Sequence, residues 1–493
     1  MLIRFFFFLL ITTLLYSCTT SKSAYSPSKK IAATALKKDF FLLRKTLEAK
    51  HPSLYWYTPK QKMDQYFDSY YAKITDSMTE QQFAWLIVAP VIDKIKCGHT
   101  SVSLSKQYDK WIKGKYIATF PLFLKVWNDT LAVTGNYNFK KDSIFKRGTL
   151  ITAINGIPNQ LLIKYMLDFL PSDGYAENVN YIRLSSNFPY YHRNIFGLSK
   201  NYEVAYIDSN GVAQKAMVPL FIPAPDSTKK DSTKKIITAT PIKVNKLLKY
   251  RSFTIDSSKK FATLTINTFA EGHLRAFFRR SFRKIRKQHI QHLVIDVRNN
   301  GGGRVGLSTL LTRYVSKQKF KVADSLYATA RGVGPYGKYI TGGFLNSVEM
   351  LFISPFKKNG QYHIKHLENH WYTPKRKAFN GNVYVITSGP TFSAAALFCN
   401  VLKGQKDVTI VGEETGGGWY GNNGIIIPDV KLPNTGIRVR LPLYRLVQYN
   451  HPNVKGTGIM PDVYVPTSYE ALLKGYDKKM AVVRSMIFSN TQP

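Results

Sequence analysis

The stretch 383–398, VYVITSGPTFSAAALF, decides how the chain is read. Val383, Tyr384, Val385 and Ile386 form a β-type apolar run, a Gly389-Pro390 turn follows, and the alanine-rich residues from Ala394 onward suit only a helix. Ser393 stands at the junction. A helix N-terminus offers unbonded backbone N–H groups and the positive end of a dipole, which stabilise a developing oxyanion, and small alanines keep the approach open. The same position also suits an ordinary N-cap serine.

Working outward, the β-type runs 261–266 and 293–297 alternate with a helical pattern at 274–287, which predicts an α/β domain over 247–475 followed by a tail, 476–493. The run 293–303, LVIDVRNNGGG, ends in three glycines whose backbone can approach a substrate closely, as an oxyanion hole or phosphate cradle requires. Neither the Walker spacing nor the dinucleotide fingerprint accompanies it. A third stretch, KCGHTSVSL at 96–104, puts His99 after a glycine and before an alternating strand. It supplies the base that a serine hydroxyl needs to become a nucleophile at neutral pH.

The N-terminal half divides by pattern. Apolar residues three and four apart predict a helical region over 31–105, broken at His51-Pro52 and restarted by a capping box at Thr79 and Gln82. Short β-type runs with Asn, Asp and Gly between them follow over 106–222, and 149–158, TLITAINGIP, reads as a hairpin turning at Asn155-Gly156. That hairpin, with Lys146-Arg147-Gly148 before it, resembles a strand pair of PDZ domains. The segment 223–246 carries the tandem repeat DSTKKDSTKK and reads as a polar linker or loop.

Arg4, the apolar run 5–15 and small polar residues predict an export signal over 1–17. Leu15-Tyr16-Ser17-Cys18 resembles a bacterial lipobox. Lipidation of Cys18, a tether over 18–30 and a lipid-anchored place in the cell envelope, outer membrane before inner, are expected from it. Two further cysteines, Cys97 and Cys399, make no disulfide framework, and are expected as buried thiols or a single bridge. The 493 residues carry a formal net charge of +40. Lysines scattered through every segment, without zinc-finger or RNA-binding signatures, mark this as a surface property, so nucleic acid is not an expected partner. No His-Glu-x-x-His or similar ligand spacing suggests a metal, and no cofactor is expected.

Together, GHT at 98–100, KRGTLITAINGIP at 146–158, LVIDVRNNGGG, the 383–398 stretch, VGEETGGG at 411–418 and GTGIMPDVYV at 456–465 occur in the order of the C-terminal processing and tricorn-type serine peptidase family. The chain resembles that family from about residue 40 to 470. The resemblance implies a multidomain α/β fold: helical N-terminal region, PDZ-like β-rich domain and crotonase-like β/β/α peptidase domain. Ser-Lys members place a lysine in the loop after the nucleophile, where this chain has Gly418, so the Ser-His branch is implied, with Ser393 as nucleophile and His99 as general base. Ala394 and Gly302 or Gly303 would hold the oxyanion. The acidic residue that this branch carries just before GxPD is missing, since Lys455 stands nearest, which leaves Glu413 or Glu414, a backbone carbonyl or a water to orient the imidazole. The implied activity is endopeptidase cleavage of polypeptide. The alternative is a catalytically silent homologue that binds polypeptide ends or an envelope component.

Overall fold

The computed structural model describes residues 25–138, 144–223, 246–368, 370–452 and 455–489. The export signal, Cys18, residues 18–24 of the tether and residues 224–245 of the polar linker lie outside these. No helix among the described residues is long and apolar enough to cross a membrane.

Leu36, Phe40, Leu43 and Leu47 recur on one face of helix Ala33–Lys50, and all four are buried. The helix ends where His51-Pro52 interrupts it. The capping box forms at Thr79 and Gln82, and the helix it starts passes through a π-helical turn, Phe83–Val88, into Ala89–Asp93. The end of the expected tether is docked: Tyr25 Oη donates to Glu80, and Lys30–Ile31 pairs with Met78–Thr79.

These helices do not enclose a core of their own. Leu36, Phe40, Ile87 and Val91 share one apolar cluster with Leu326, Val430, Val439 and Leu446 from beyond residue 320. The helical region and the C-terminal half therefore share one core, where hydrophobic periodicity suggested separate segments. Asp39 fixes their register. It is fully buried, and its carboxylate accepts from the Asn434 and Thr435 backbone N–H groups, Asn434 Nδ2 and Thr435 Oγ1.

The middle segment does have its own core, built around Phe120, Leu124, Ile151, Ile163, Phe188 and Tyr202. Leu122–Trp127, Thr130–Asn136, Leu150–Ile154, Asn201–Ile207 and Ala213–Pro219 lie side by side in an antiparallel sheet, with Ile157–Pro158 added through the Asn155-Gly156 turn. Both turn residues have positive φ, 48° and 76°, as a two-residue hairpin requires. Helices Asn159–Leu167, Asn178–Ser186 and Phe188–Phe196 cover the sheet.

The C-terminal half centres on a six-stranded sheet in the order Arg251–Ile255, Phe261–Ile266, His292–Asp296, Asn382–Thr387, Val408–Gly412, Val463–Tyr464. All pairs are parallel except the first. Helices Leu274–Lys287, Val305–Val315 and Ala394–Leu402 cover one face. The other face is closed by Lys478–Ser489, whose Val483 and Ile487 pack against Val294, Tyr384 and Ile386. The expected tail is thus a structural helix, because without it the second face of a parallel sheet would stand in water. A second sheet, including Ala323–Ala328 and Arg445–Gln448, carries the cluster shared with the N-terminal helices.

His192 stacks on Phe120 at 4.5 Å in the middle core, and burial lowers its pKa from the ordinary 6.5 to about 3. The unfolded chain therefore binds a proton below pH 6.5 that the folded chain refuses until about pH 3, and stability falls as pH falls through that window. The penalty is ~2 kcal/mol at about pH 5. Replacing the ring by the apolar His192→Phe is expected to flatten the loss of Tm between about pH 7.5 and 5. Thermal unfolding at the two pH values tests this, and an undiminished acid sensitivity would assign it elsewhere.

Candidate active site

Ser393 ends the turn between strand Asn382–Thr387 and helix Ala394–Leu402 with φ 52° and ψ −122°. A side chain in that region of backbone space is strained, by roughly 1–3 kcal/mol, and such strain concentrates where a nucleophile is thrust out of a sharp elbow. Its hydroxyl makes no capping hydrogen bond, so the N-cap reading does not describe it.

Asn300 joins the elbow to the glycine run. Fully buried, it accepts the Phe392 N–H at its carbonyl and the Gly302 N–H at Oδ1, and donates Nδ2 to Ile266. Gly302, at φ 98°, passes so close to the elbow that a Cβ there would lie 2.7 Å from Ser393 Cβ. Only glycine fits. Because its N–H is already donated, Gly302 is not free to bind an oxyanion, and that expectation moves to Gly303, which lines the cavity beside Ser393. The N–H groups of Gly303 and Ala394 have no acceptor among the described residues.

His99 comes from the loop after the N-terminal helices and is 6% exposed. Its ring packs on Phe392 at 4.8 Å, and the next residue is held by a 2.8 Å hydrogen bond between Thr100 Oγ1 and His51 Nε2. Burial and the Arg445 charge lower the His51 pKa to about 3, so this support is a neutral imidazole. A Cβ built on Gly424 would lie 3.1 Å from Ser393 Oγ and 3.3 Å from His99 Nε2, so both atoms border the space above that glycine. Neither ring nitrogen of His99 has a hydrogen-bond partner among the described residues. Hydroxyl and imidazole share one cavity of about 510 Å³.

The carboxylate beside His99 is one that the sequence reading missed. Asp173 Oδ1 lies 3.6 Å from His99 Nδ1 and accepts the Gly98 N–H at 2.8 Å. Asp173 Oδ2 lies 3.5 Å from the N of Gly418, the position at which Ser-Lys relatives would have lysine. The Asp173 turn is wedged between the His99 loop and the 456 segment: Gly174 N–H donates to Lys96 O and Tyr175 N–H to Gly456 O. The carboxylate therefore arrives next to the segment where it was missed, but from another part of the chain. Its only sequence signal is a Ser-Asp-Gly turn, common to many loops.

Glu413 and Glu414, the candidate substitutes, are engaged elsewhere. Glu413 bonds Lys479, Ser388 and Thr467; burial alone would raise its pKa, but Lys479 and these hydrogen bonds hold it below the usual range. Glu414 accepts the Gly458 N–H, and burial raises its pKa. Lys455 lies over Trp56 and Tyr420, 4.4 and 5.1 Å from the ring centroids, with the guanidinium of buried Arg445 also over Trp56. It serves an aromatic stack. Cys97 and Cys399 are free, buried and in different apolar clusters, so the possible bridge does not form. Among the described residues, no three His, Cys, Asp or Glu side chains group as a metal site would require.

No curated protein sequence matches the chain. Among solved structures, mature CPAF is similar with a TM-score of 0.63 at 16% identity, over 94% of this chain and 99% of that one. Mature CPAF complexed with lactacystin gives 0.62 at 15%, over 92% and 98%. A putative peptidase from Parabacteroides merdae ATCC 43184 gives 0.46 at 14%, over 93% and 97%. At such identities the likeness is one of fold. The sequence match is to the model of peptidase family S41 over residues 260–465, a span that takes in the glycine run, the elbow and the 412–418 loop.

Proposed function

We propose that this chain is a serine endopeptidase of the cell envelope, exported by its first 17 residues and lipid-anchored at Cys18, in the outer membrane rather than the inner. The observation that carries the peptidase reading is Ser393 at φ 52°, its hydroxyl uncapped and bordering the same space as His99 Nε2. In the proposed reaction Ser393 Oγ adds to a peptide carbonyl while His99 Nε2 takes the hydroxyl proton. The oxyanion is held by the N–H groups of Ala394 and Gly303. His99 then returns the proton to the departing amine; water, deprotonated by the same imidazole, adds to the acyl carbonyl, and that proton passes to Ser393 Oγ as the carboxylic acid leaves. Asp173 is a positioning residue that keeps Nδ1–H toward itself and stabilises the imidazolium. The 3.6 Å separation is a resting geometry that tightens as charge develops. The PDZ-like segment would add a substrate strand to a sheet edge and lead it to the cavity.

The second reading is a silent homologue that binds polypeptide ends, and the unmade hydrogen bonds of His99 favour it. Labelling with a fluorophosphonate separates the two. An adduct on Ser393 is expected, absent in Ser393→Ala and slowed at least about 100-fold in His99→Ala; no adduct on folded chain between about pH 6 and 9 would establish the silent homologue.

Asp173→Asn is expected to lower kcat by roughly 10²–10⁴-fold with KM changed less than about threefold, because it disturbs the imidazolium and not the bound ground state. Glu414→Gln should leave kcat within about threefold, and Glu413→Gln should show itself in Tm rather than in kcat. Steady-state kinetics of the three variants decides among the carboxylates, and an unaffected Asp173→Asn enzyme would remove Asp173 from the mechanism.

A further inference from the structure

Behind the Ser393 cavity lies a second chamber of about 450 Å³, between the N-terminal helices and the middle segment. Its walls mix apolar and aromatic side chains, Trp85, Ile92, Phe169 and Tyr190, with polar ones such as Ser101 and Ser103. The two spaces meet at Gly98, Arg183 and Arg440, which line both. A polypeptide lying across Ser393 therefore has a place to put a side chain or a chain end, and it must pass two guanidinium groups to reach it.

Those two groups are not neutralised. The carboxylate in the chamber lining, Asp109, is taken by Arg438 at 2.5 Å. Arg183 Nη1 donates to Pro171 O and Asn180 Oδ1, while its Nε and Nη2 have no acceptor among the described residues. Asp173 acts on it only at a distance, and burial lowers its pKa. The Arg440 side chain has no hydrogen bond or ion pair among the described residues, although its backbone is fixed in the strand Arg438–Arg440. Arg183 is half-buried and short of acceptors, a costly state that an anion with matching geometry relieves, while Arg440, exposed at the end of its strand, is free to turn onto the same anion.

We infer that Arg183 and Arg440 form a carboxylate-binding subsite at the mouth of the second chamber, making this a peptidase selective for polypeptides that place a carboxylate beside the scissile bond. The inference rests on the proposed peptidase site, since it takes the substrate path to run through the Ser393 cavity. The carboxylate is either an acidic side chain or the α-carboxylate of a chain end; a planar fork recognises both alike.

Binding to immobilised Ser393→Ala chain tests this without requiring turnover. One arm uses decapeptide libraries amidated at the C-terminus, with Glu or its isostere Gln fixed at each position in turn. The other uses libraries free of acidic residues, ending in a carboxylate or an amide. Mass spectrometry is expected to show the carboxylate member enriched at least about tenfold in one arm, which identifies the source. The enrichment should fall below about twofold in Ser393→Ala chains that also carry Arg183→Gln or Arg440→Gln. Because 70 basic residues are present, losing one barely alters general attraction to acids, so such a fall reports the subsite. Should Arg183→Gln fail to fold, Arg440→Gln decides alone, since that side chain holds nothing in place. Equal capture of acid and amide in both arms, or an enrichment that survives the substitutions, overturns the inference. Failure of the peptidase reading appears separately, as absence of the fluorophosphonate adduct on Ser393.

Discussion

Packing of the N-terminal helices against the second sheet of the C-terminal half is the contact on which the rest depends. It buries Phe40 and Leu43 in the same cluster as Val430 and Val439, and it determines where His99 lies. The histidine loop follows directly from those helices and is clamped by His51 on one side and the Asp173 turn on the other. Shifting that packing by even one ångström would move the His99 imidazole relative to the Ser393 hydroxyl, and the proposed reaction depends steeply on that placement.

The serine side of the site is built by a different device. Its strand lies in the middle of a parallel sheet, covered on both faces, so the turn that follows cannot relax sideways. Asn300 ties that turn to the glycine run, and the Gly302 backbone presses on Ser393 where no side chain would fit. A positive φ at a non-glycine residue persists only when its surroundings over-determine it, and here strand, helix, asparagine and glycine all do so. The strain sits on the residue whose exposure matters most.

Much of this was legible in the sequence because it is local. The strand-elbow-helix at 383–398, the glycine run, the capping box at Thr79 and the Asn155-Gly156 turn each depend on neighbours within a few residues. What could not be read is what long-range contact decides. Asp173 is an unremarkable turn residue until the Gly456 segment folds against it. Glu413 has the right position in sequence, but Lys479, in a helix that looked like a tail, claims it. Periodicity showed that 33–50 is a helix, yet not that its apolar face would be completed by residues beyond 320. The π-helical turn at Phe83–Val88 had no sequence cue. The Gly302 amide looked available because a motif specifies a backbone, not the acceptor that a neighbouring asparagine presents.

The buried Asp39 carboxylate sets a timetable. Its four partners all belong to Asn434 and Thr435, so during synthesis the first helix emerges long before anything exists to satisfy that charge. An unpaired carboxylate inside an apolar cluster is too costly to bury, so the helix has no stable resting place until the last quarter of the chain arrives. The contact that brings His99 to Ser393 is therefore among the last that the growing chain can make.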